Sequence, residues 1–371
     1  MPIYRIDGIP LLQAFDYEAS QLQAAFSISG GQVFSGDRKP IKTYDYASDP
    51  DPDKSYIWTY DLAALQEFQG NKFTIGIQTD THYLPSQHDA AYVTPLKNMT
   101  KQLYFDFIIN MGDIPRGWAN DTTSNTKSGL TEMMRRYTSY VESPVLIVVG
   151  NHDNANNYAI AHNKSMAEVI SRSDLYNAEI GGVKSTTDIV EPTEHSFYYY
   201  KDFPECRVIV LDTNDYPYLE VSDYDVHGNH HTISEAQINW FTNTALNTDK
   251  PVLVISHAPL TTAIRPEEFV VPEEDKAYSY ATIPYRADRI LEELKSFADN
   301  GGEVVACFCG HIHRQLLATV NGIKHICFAN GGKFAELAFI DFGNRTITTK
   351  VIGTDKSADY GATAADRAFV F

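Results

Sequence analysis

Five short segments spread over most of the chain end in polar clusters whose residue types bind metal ions. They are Asp80-Thr81-His82, Gly112-Asp113, Gly150-Asn151-His152-Asp153, His257, and Gly310-His311-Ile312-His313. Carboxylate, imidazole and amide donors without a thiolate suit catalytic Mn, Fe, Zn or Mg, whereas structural zinc sites are usually rich in cysteine. Together the clusters supply donors for two ions, which reads as an enzyme. Each residue alone has a blander role: Asp80 as a loop cap, Asn151 as a turn residue, His257 as a core histidine. Their joint order is what favours chemistry.

The elements that must position these clusters are apolar, strand-like runs, each followed at its C-terminal end by one cluster. Phe73 to Gln78 precedes Asp80, Tyr104 to Met111 precedes Asp113, and Val145 to Val149 precedes Asn151; Val252 to Ile255 precedes His257, and Val304 to Phe308 precedes His311. Helical periodicity falls on Leu130 to Val141, Tyr158 to Ile170, Ser234 to Ala245 and Ala287 to Ala298. Ser234 with Gln237 reads as a capping box. Strand, loop and helix in alternation predict an α/β layered fold, which gathers active-site residues beyond strand carboxyl ends. The runs Lys324 to Phe328, Ala335 to Phe342 and Thr346 to Ile352 lack intervening helices and predict antiparallel strands completing the sheet.

The first seventy residues differ. Leu11-Leu12-Gln13-Ala14-Phe15 is echoed eleven positions later by Leu22-Gln23-Ala24-Ala25-Phe26, with Gly8, Gly30, Gly31 and Gly36 as turn punctuation. So short a segment buries little core of its own. It is read as a small β-rich appendage or tether over residues 1–69, followed by a catalytic domain over 70–353 and a tail over 354–371. The run Asp49-Pro50-Asp51-Pro52-Asp53-Lys54 reads as a loop.

With 371 residues, 43% of them hydrophobic, the chain can bury a large core. Its formal charge is −18, from 30 Lys and Arg against 48 Asp and Glu, which disfavours long-range attraction to nucleic acid or anionic lipid. Met1 to Gly8 shows no basic region before an apolar run, and no stretch is apolar enough to span a membrane. A cytoplasmic or virion-associated location is therefore expected. Cys206, Cys307, Cys309 and Cys327 all sit in apolar strand-like contexts and read as buried free thiols rather than a disulfide framework.

The ordered set Asp80-x-His82, Gly112-Asp113, Gly150-Asn151-His152-Asp153, Ser256-His257 and Gly310-His311-x-His313 resembles the calcineurin-like metallophosphoesterase superfamily over roughly residues 70 to 352. Ser234 to Trp240 is similar to the helix these enzymes carry before the single-histidine strand. The resemblance implies a layered sandwich of mixed β-sheets flanked by helices. It further implies that Asp80, His82 and His313 hold one ion, that Asn151, His257 and His311 hold the other, and that Asp113 bridges both. The ions implied are divalent or of mixed valence: Mn, Fe, Zn or Mg. Two dications about 3.5–4 Å apart acidify a shared water, which becomes the nucleophile in an in-line attack on phosphorus.

By the same resemblance, His152 contacts phosphate as general acid or charge stabiliser. Here the chain departs from the family pattern. The second motif commonly reads Gly-Asp-x-x-Asp or Asn, and this chain has Gly112-Asp113-Ile114-Pro115-Arg116. Arginine in place of the carboxylate cannot raise the His152 pKa, because like charges disfavour protonation. Two alternatives follow: another acid such as Asp121 substitutes, or Arg116 itself binds substrate phosphate. Asp153 is expected to act as a cap or as a partner behind the ligands. His227, His230 and His231 read as a solvated insertion loop. Trp118, Tyr158, Tyr278, Tyr280 and Tyr285 are either groove-shaping aromatics or ordinary loop anchors. Arg265 to Arg286 is a candidate lid or specificity loop.

Three functions compete on these residues. Gly-Asn-His-Asp with Gly-His-Ile-His resembles the phosphodiesterase branches more than the purple acid phosphatases, so hydrolysis of a phosphodiester leads. A nuclease or phosphomonoesterase of the same superfamily is the alternative, with the net charge weighing against a nuclease. The third is a virion or cell-surface module in which residues 1–69 mediate homo-oligomerisation or particle attachment. Such a module would carry the domain to a phosphodiester-linked envelope polymer such as teichoic acid.

Overall fold

The computed structural model describes residues 62–84, 103–140, 143–162, 164, 168–183, 187–215, 231–264, 283–329, 334–353 and 363–371, with four short strand segments nearer the N-terminus. Those segments form two antiparallel pairs, β1 (Arg5–Ile6) with β2 (Ile9–Pro10) and β3 (Phe26–Ser29) with β4 (Gln32–Ser35). The segments Leu11 to Phe15 and Leu22 to Ala25, the loop Asp49 to Lys54, and most of Arg265 to Arg286 lie outside the described residues.

Two six-stranded mixed sheets make up the body. The first contains β5 (Phe73–Gln78), β6 (Phe107–Asn110) and β7 (Val145–Ile147), which run parallel to one another. The second contains β8 (Tyr199–Asp202), β9 (Arg207–Leu211), β10 (Val252–Ser256), β11 (Val304–Cys309), β12 (Leu316–Val320) and β13 (Ile323–Cys327), in the order β12-β13-β11-β10-β9-β8. The chain then returns to the first sheet with β14 (Phe334–Asp341), β15 (Thr346–Gly353) and β16 (Arg367–Val370), giving the order β16-β15-β14-β5-β6-β7.

Alternation along the second sheet explains why its central strands read as unbroken apolar runs. Val208, Val210, Leu253, Ile255, Ala306 and Phe308 join the main core with Ile75, Ile77 and Phe107 of the first sheet. Ile209, Leu211, Val252, Val254 and Cys307 face the other way, against Ile238 and Phe241 and against Ile290 and Leu294 of helix Ala287–Asp299. A strand covered on both faces has no polar side to show. On the first sheet, Leu130, Met133 and Tyr137 of helix Thr123–Tyr140 complete the main core. The layered α/β sandwich of mixed sheets is thus observed. All four cysteines are buried and free.

Several expectations change in detail. Ile323–Cys327 pairs parallel with β11 in the second sheet, so the three late strand runs divide between two sheets; only β14 and β15 are the expected antiparallel pair. The long connections that return the chain to each sheet leave no local signature. Helix Asn156–Ala161 starts two residues before the periodic Tyr158 to Ile170 stretch and covers only its first four residues. Ser234 does cap its helix, accepting from the Gln237 N–H at 3.1 Å, but the Gln237 side chain turns to Asp212 and Asp215 instead of closing the box. Helix Leu62–Gln69, on the N-terminal side of the expected boundary at residue 70, packs Leu65 into the main core and Phe68 edge-on to Phe339. Among the described residues no helix is long and apolar enough to cross a membrane.

The tail docks as β16 on the edge of β15, where Arg367 ties it to the strands behind the His311–His313 segment. Its guanidinium donates to Cys327 O at 3.1 Å and to the buried Glu336 carboxylate at 3.3 Å, which also accepts from Gln315 Nε2 at 2.7 Å. Gln315 makes a reciprocal pair of bonds with the Ala365 backbone, at 2.9 and 2.8 Å. Burial pushes the Glu336 carboxyl up, and Arg367 opposes that. Arg367→Met should therefore destabilise the fold by about 2 kcal/mol, less than the roughly 3–5 kcal/mol for one-sided loss of a fully buried pair, because the guanidinium retains solvent contact. Calorimetric Tm reads this out; an unchanged Tm would mean that Glu336 is already neutral.

Candidate metal centre

The carboxyl ends of β5, β6 and β7 in one sheet and of β10 and β11 in the other converge on one place. The segments beyond β5 and β6 stay laddered after the strands end: Asp80 N donates to Gly112 O at 2.9 Å, His82 N to Asp113 O at 3.0 Å, and Tyr83 N to Ile114 O at 2.9 Å. Gly310 N donates to His257 O at 3.0 Å and joins the two segments of the second sheet in the same way.

Close approach dictates glycine at two points. Gly112 has φ +97° and would bring a Cβ within 2.7 Å of Gly150 N; a Cβ on Gly310 would meet Thr79 Oγ1 at 1.9 Å and Asp80 Oδ2 at 2.6 Å. Gly310→Ala must push Asp80 away from the His311 backbone. Overpacking of this kind costs about 1–3 kcal/mol, and reduced metal content together with a lower Tm is the expected result. Asp80, His82, Asp113, His311 and His313 all adopt left-handed backbone angles, with φ between 45° and 67°. Non-glycine residues there are strained, and such strain collects at functional sites.

Within this frame one group of donors, from Asp80, His82, Asp113 and His313, lies with all its atoms within 4.8 Å of one another, and a second comes from Asp113, His257 and His311. Each carboxylate divides its labour. Asp80 Oδ2 accepts from His311 N at 2.9 Å and Thr79 Oγ1 at 2.6 Å, while buried Oδ1 accepts no hydrogen bond from the described residues and lies 3.3 Å from His313 Nε2. Asp113 Oδ1 accepts from His152 N at 2.8 Å, while Oδ2 faces His257 Nε2 at 3.3 Å. Thus one oxygen holds the loop and the other points into the site.

The imidazoles converge in the same way. His257 Nδ1 lies 2.8 Å from Met111 O, which assigns its proton there and leaves Nε2 as an acceptor facing Asn151 Oδ1 at 3.0 Å. His82 Nδ1 lies 3.3 Å from Arg116 O, and its Nε2 meets His313 Nε2 at 3.1 Å. His311 Nε2 is buried without a hydrogen bond to the described residues. Acceptors that face one another in a buried site call for a cation, and the carboxylate and imidazole donors fit divalent metals.

Electrostatics agree. Burial opposes ionisation of Asp113, yet His257 and His152 outweigh it and hold the carboxyl well below its usual value. Asp80 is likewise lowered, by His313 and His257 against burial. Burial would lower His257, but Asp113 raises it to about 9. Burial and the neighbouring His152 push His82 down to about 4.

His152 borders this site, with Nε2 3.8 Å from Asp113 Oδ2 and Nδ1 3.2 Å from Gly117 O. Asp153 is fully buried and accepts from Gly150 N at 2.6 Å and Ile114 N at 2.8 Å, so it ties the β6 and β7 loops together behind the ligands. Arg116 forms a two-pronged pair with Asp121, Nε to Oδ2 at 2.8 Å and Nη2 to Oδ1. This directs the Asp121 carboxylate at Arg116.

One expectation is corrected. His227 and His230 lie outside the described residues, but His231 is buried rather than solvated. Its ring lies 4.6 Å from that of His311, and its Nδ1 lies 3.0 Å from Asn214 Oδ1. The physical reason is the pairing of Thr232 with both Asn214 and Tyr285, which carries the preceding residue inward. The apolar Ile233 just before the Ser234 cap was the available signal. Trp118 and Tyr285 are exposed, Tyr158 is partly buried, and Tyr278 and Tyr280 lie outside the described residues.

No curated protein matches the chain by sequence. Among solved structures, a dimetal phosphatase from Danio rerio is similar with a TM-score of 0.55 at 16% identity, over 81% of this chain and 99% of that one. GAP50, the anchor in the inner membrane complex of Plasmodium, gives 0.43 at 12% identity over 81% and 89%. The phosphopantetheinyl hydrolase of Mycobacterium tuberculosis gives 0.40 at 14% identity over 70% and 90%. The first supports the fold, and the other two superpose too loosely to argue from. The model of the calcineurin-like phosphoesterases matches residues 73–315, which span all five clusters. With that match, and with clustered Asp and His donors suited to metal ions, the chain belongs to the calcineurin-like phosphoesterase family of metal-binding hydrolases.

Proposed function

We propose that the protein hydrolyses a phosphodiester at a dinuclear metal site. Asp113 standing in both donor groups is the observation that carries the reading, since a carboxylate shared by two groups is what a two-ion site requires. Asp80, His82 and His313 would hold one ion, Asn151, His257 and His311 the other, and Asp113 both. The donor set accepts Mn, Fe, Zn or Mg. Bound there, two dications would acidify a water and take up the charge that develops on phosphoryl oxygens.

The remaining steps belong to the side chains. His152 would donate a proton from Nε2 to the leaving oxygen, with Nδ1 kept in place beside Gly117 O. Arg116 Nη1 makes no hydrogen bond with the described residues, so Arg116 can meet a phosphate oxygen while Asp121 fixes its other edge. The diester preference rests on the Gly-Asn-His-Asp and Gly-His-Ile-His pattern. The proposed catalytic unit is residues 70–353; helix Leu62–Gln69 packs into the core and would be kept in any shortened chain.

The test is hydrolysis of bis-p-nitrophenyl phosphate against p-nitrophenyl phosphate after chelation and return of single metals. Metal-dependent turnover that favours the diester is expected. Preference for the monoester would overturn the diester reading, and steep inhibition of DNA cleavage by salt would point to a nuclease.

A further inference from the structure

The turn that joins the second cluster to helix Thr123–Tyr140 presents an aromatic surface at the edge of the site. Trp118 is 51% exposed, unlike the buried Trp240. Its ring centroid lies 6.3 Å from that of His82, a candidate ligand, and the Arg116 guanidinium carbon lies 4.9 Å from its ring centre. Several bonds fix this position. Asp121 accepts from Trp118 N at 3.0 Å and pairs with Arg116, while Asp121 N donates to Trp118 O at 2.8 Å. Gly117, at φ +53°, packs so closely that a Cβ would meet His152 O at 2.1 Å, which presses the turn against the loop that carries His152.

About half of the Trp118 surface is left in water. Held rigidly by a charged pair, the indole loses little conformational entropy when it binds. We propose that Trp118 is a stacking platform for a planar aromatic group of the substrate, so that the preferred phosphoesters are those bearing a nucleobase or a comparable ring. The inference rests on the proposed phosphoester hydrolysis and names the substrate class for that same site. Arg116 serves it twice, by orienting the indole and by offering Nη1 to the phosphate. Stacking reads the flat face of a ring, and so selects aromatic over aliphatic substituents without selecting one base. The chain's net charge of −18 fits a small ligand better than a long polyanion.

The experiment is calorimetric titration of the metal-reconstituted protein with two methylphosphinates, which mimic a diester and resist hydrolysis because both ester oxygens are replaced by carbon. One carries the group on the 5′ position of adenosine and the other on the matching position of ribose, so the pair differs only in the base. The adenosine compound should bind at least about tenfold more tightly. Trp118→Ala should bring the ratio of affinities towards one, and Trp118→Phe should keep most of it. Equal affinity in the unaltered protein, including undetectable binding of both, or a ratio unchanged in Trp118→Ala, overturns the inference. These outcomes are separate from a failure of the functional reading, which would appear as absence of metal-dependent hydrolysis of any phosphoester, aromatic or aliphatic.

Discussion

Asp113→Asn is expected to leave a folded protein that holds neither ion and has lost metal-dependent hydrolysis. The two oxygens of this side chain do different work. Oδ1 accepts the His152 backbone N–H, and an amide oxygen can keep that bond. Oδ2 faces a histidine of each donor group, His82 Nε2 at 3.9 Å and His257 Nε2 at 3.3 Å, and an amide cannot replace its charge. Loss of turnover should exceed the roughly 10–100-fold seen when a partner behind a ligand is removed. Metal content, measured after dialysis, should fall for both ions together. Asp113→Ala should be worse in a separable way, since it also releases the His152 loop and lowers Tm. If Asp113→Asn retained two ions per chain, Asp113 would not be the shared ligand.

The second large effect is at His152. Replacement by alanine should lower kcat by about 10²–10⁴-fold, the usual worth of a positioned proton donor. Metal content should not change, because His152 adds no donor to either group. The size of the loss should depend on the leaving group. An alkoxide needs a proton as it departs and a nitrophenolate hardly does, so the variant should be far more impaired on alkyl than on nitrophenyl esters. A uniform loss across leaving groups would instead assign His152 to stabilising charge on the phosphoryl oxygens. Loss of metal would remove both roles.

The clusters were legible because of how their strands are buried. β5, β6, β10 and β11 are covered on both faces, which makes each a continuous apolar run, and the first polar residues after such a run stand where the chain leaves the sheet. β8, β12 and β16 are partly exposed edge strands, and their pairing depends on partners far away in sequence. Local pattern says nothing of that. His231 was misread for a related reason: its polar neighbours suggested a loop, and only the pairing of Thr232 with Asn214 and Tyr285 turns it inward. The role of Asp153 was anticipated in kind, but not the two loops it ties together. Arg116 and Asp121 read as alternatives at the site, and their pairing with each other across five positions became visible only in three dimensions.

The left-handed angles at Asp80, His82, Asp113, His311 and His313 bear on how such a centre is inherited. Each costs on the order of 1–2 kcal/mol relative to an ordinary backbone, somewhat less for the two aspartates. A lineage lacking these loop shapes cannot acquire the centre by exchanging side chains alone, because histidine on a relaxed loop would point elsewhere. Abandoning it is easy: once metal binding is no longer selected, glycine or asparagine at the three histidines relieves strain, and asparagine at the two aspartates keeps the bonds that hold the loops while removing the buried charge. Descendants that have lost catalysis should therefore keep the sheets and carry small or flexible residues at these five places, and anyone grafting the centre onto a new scaffold must copy its backbone before its side chains.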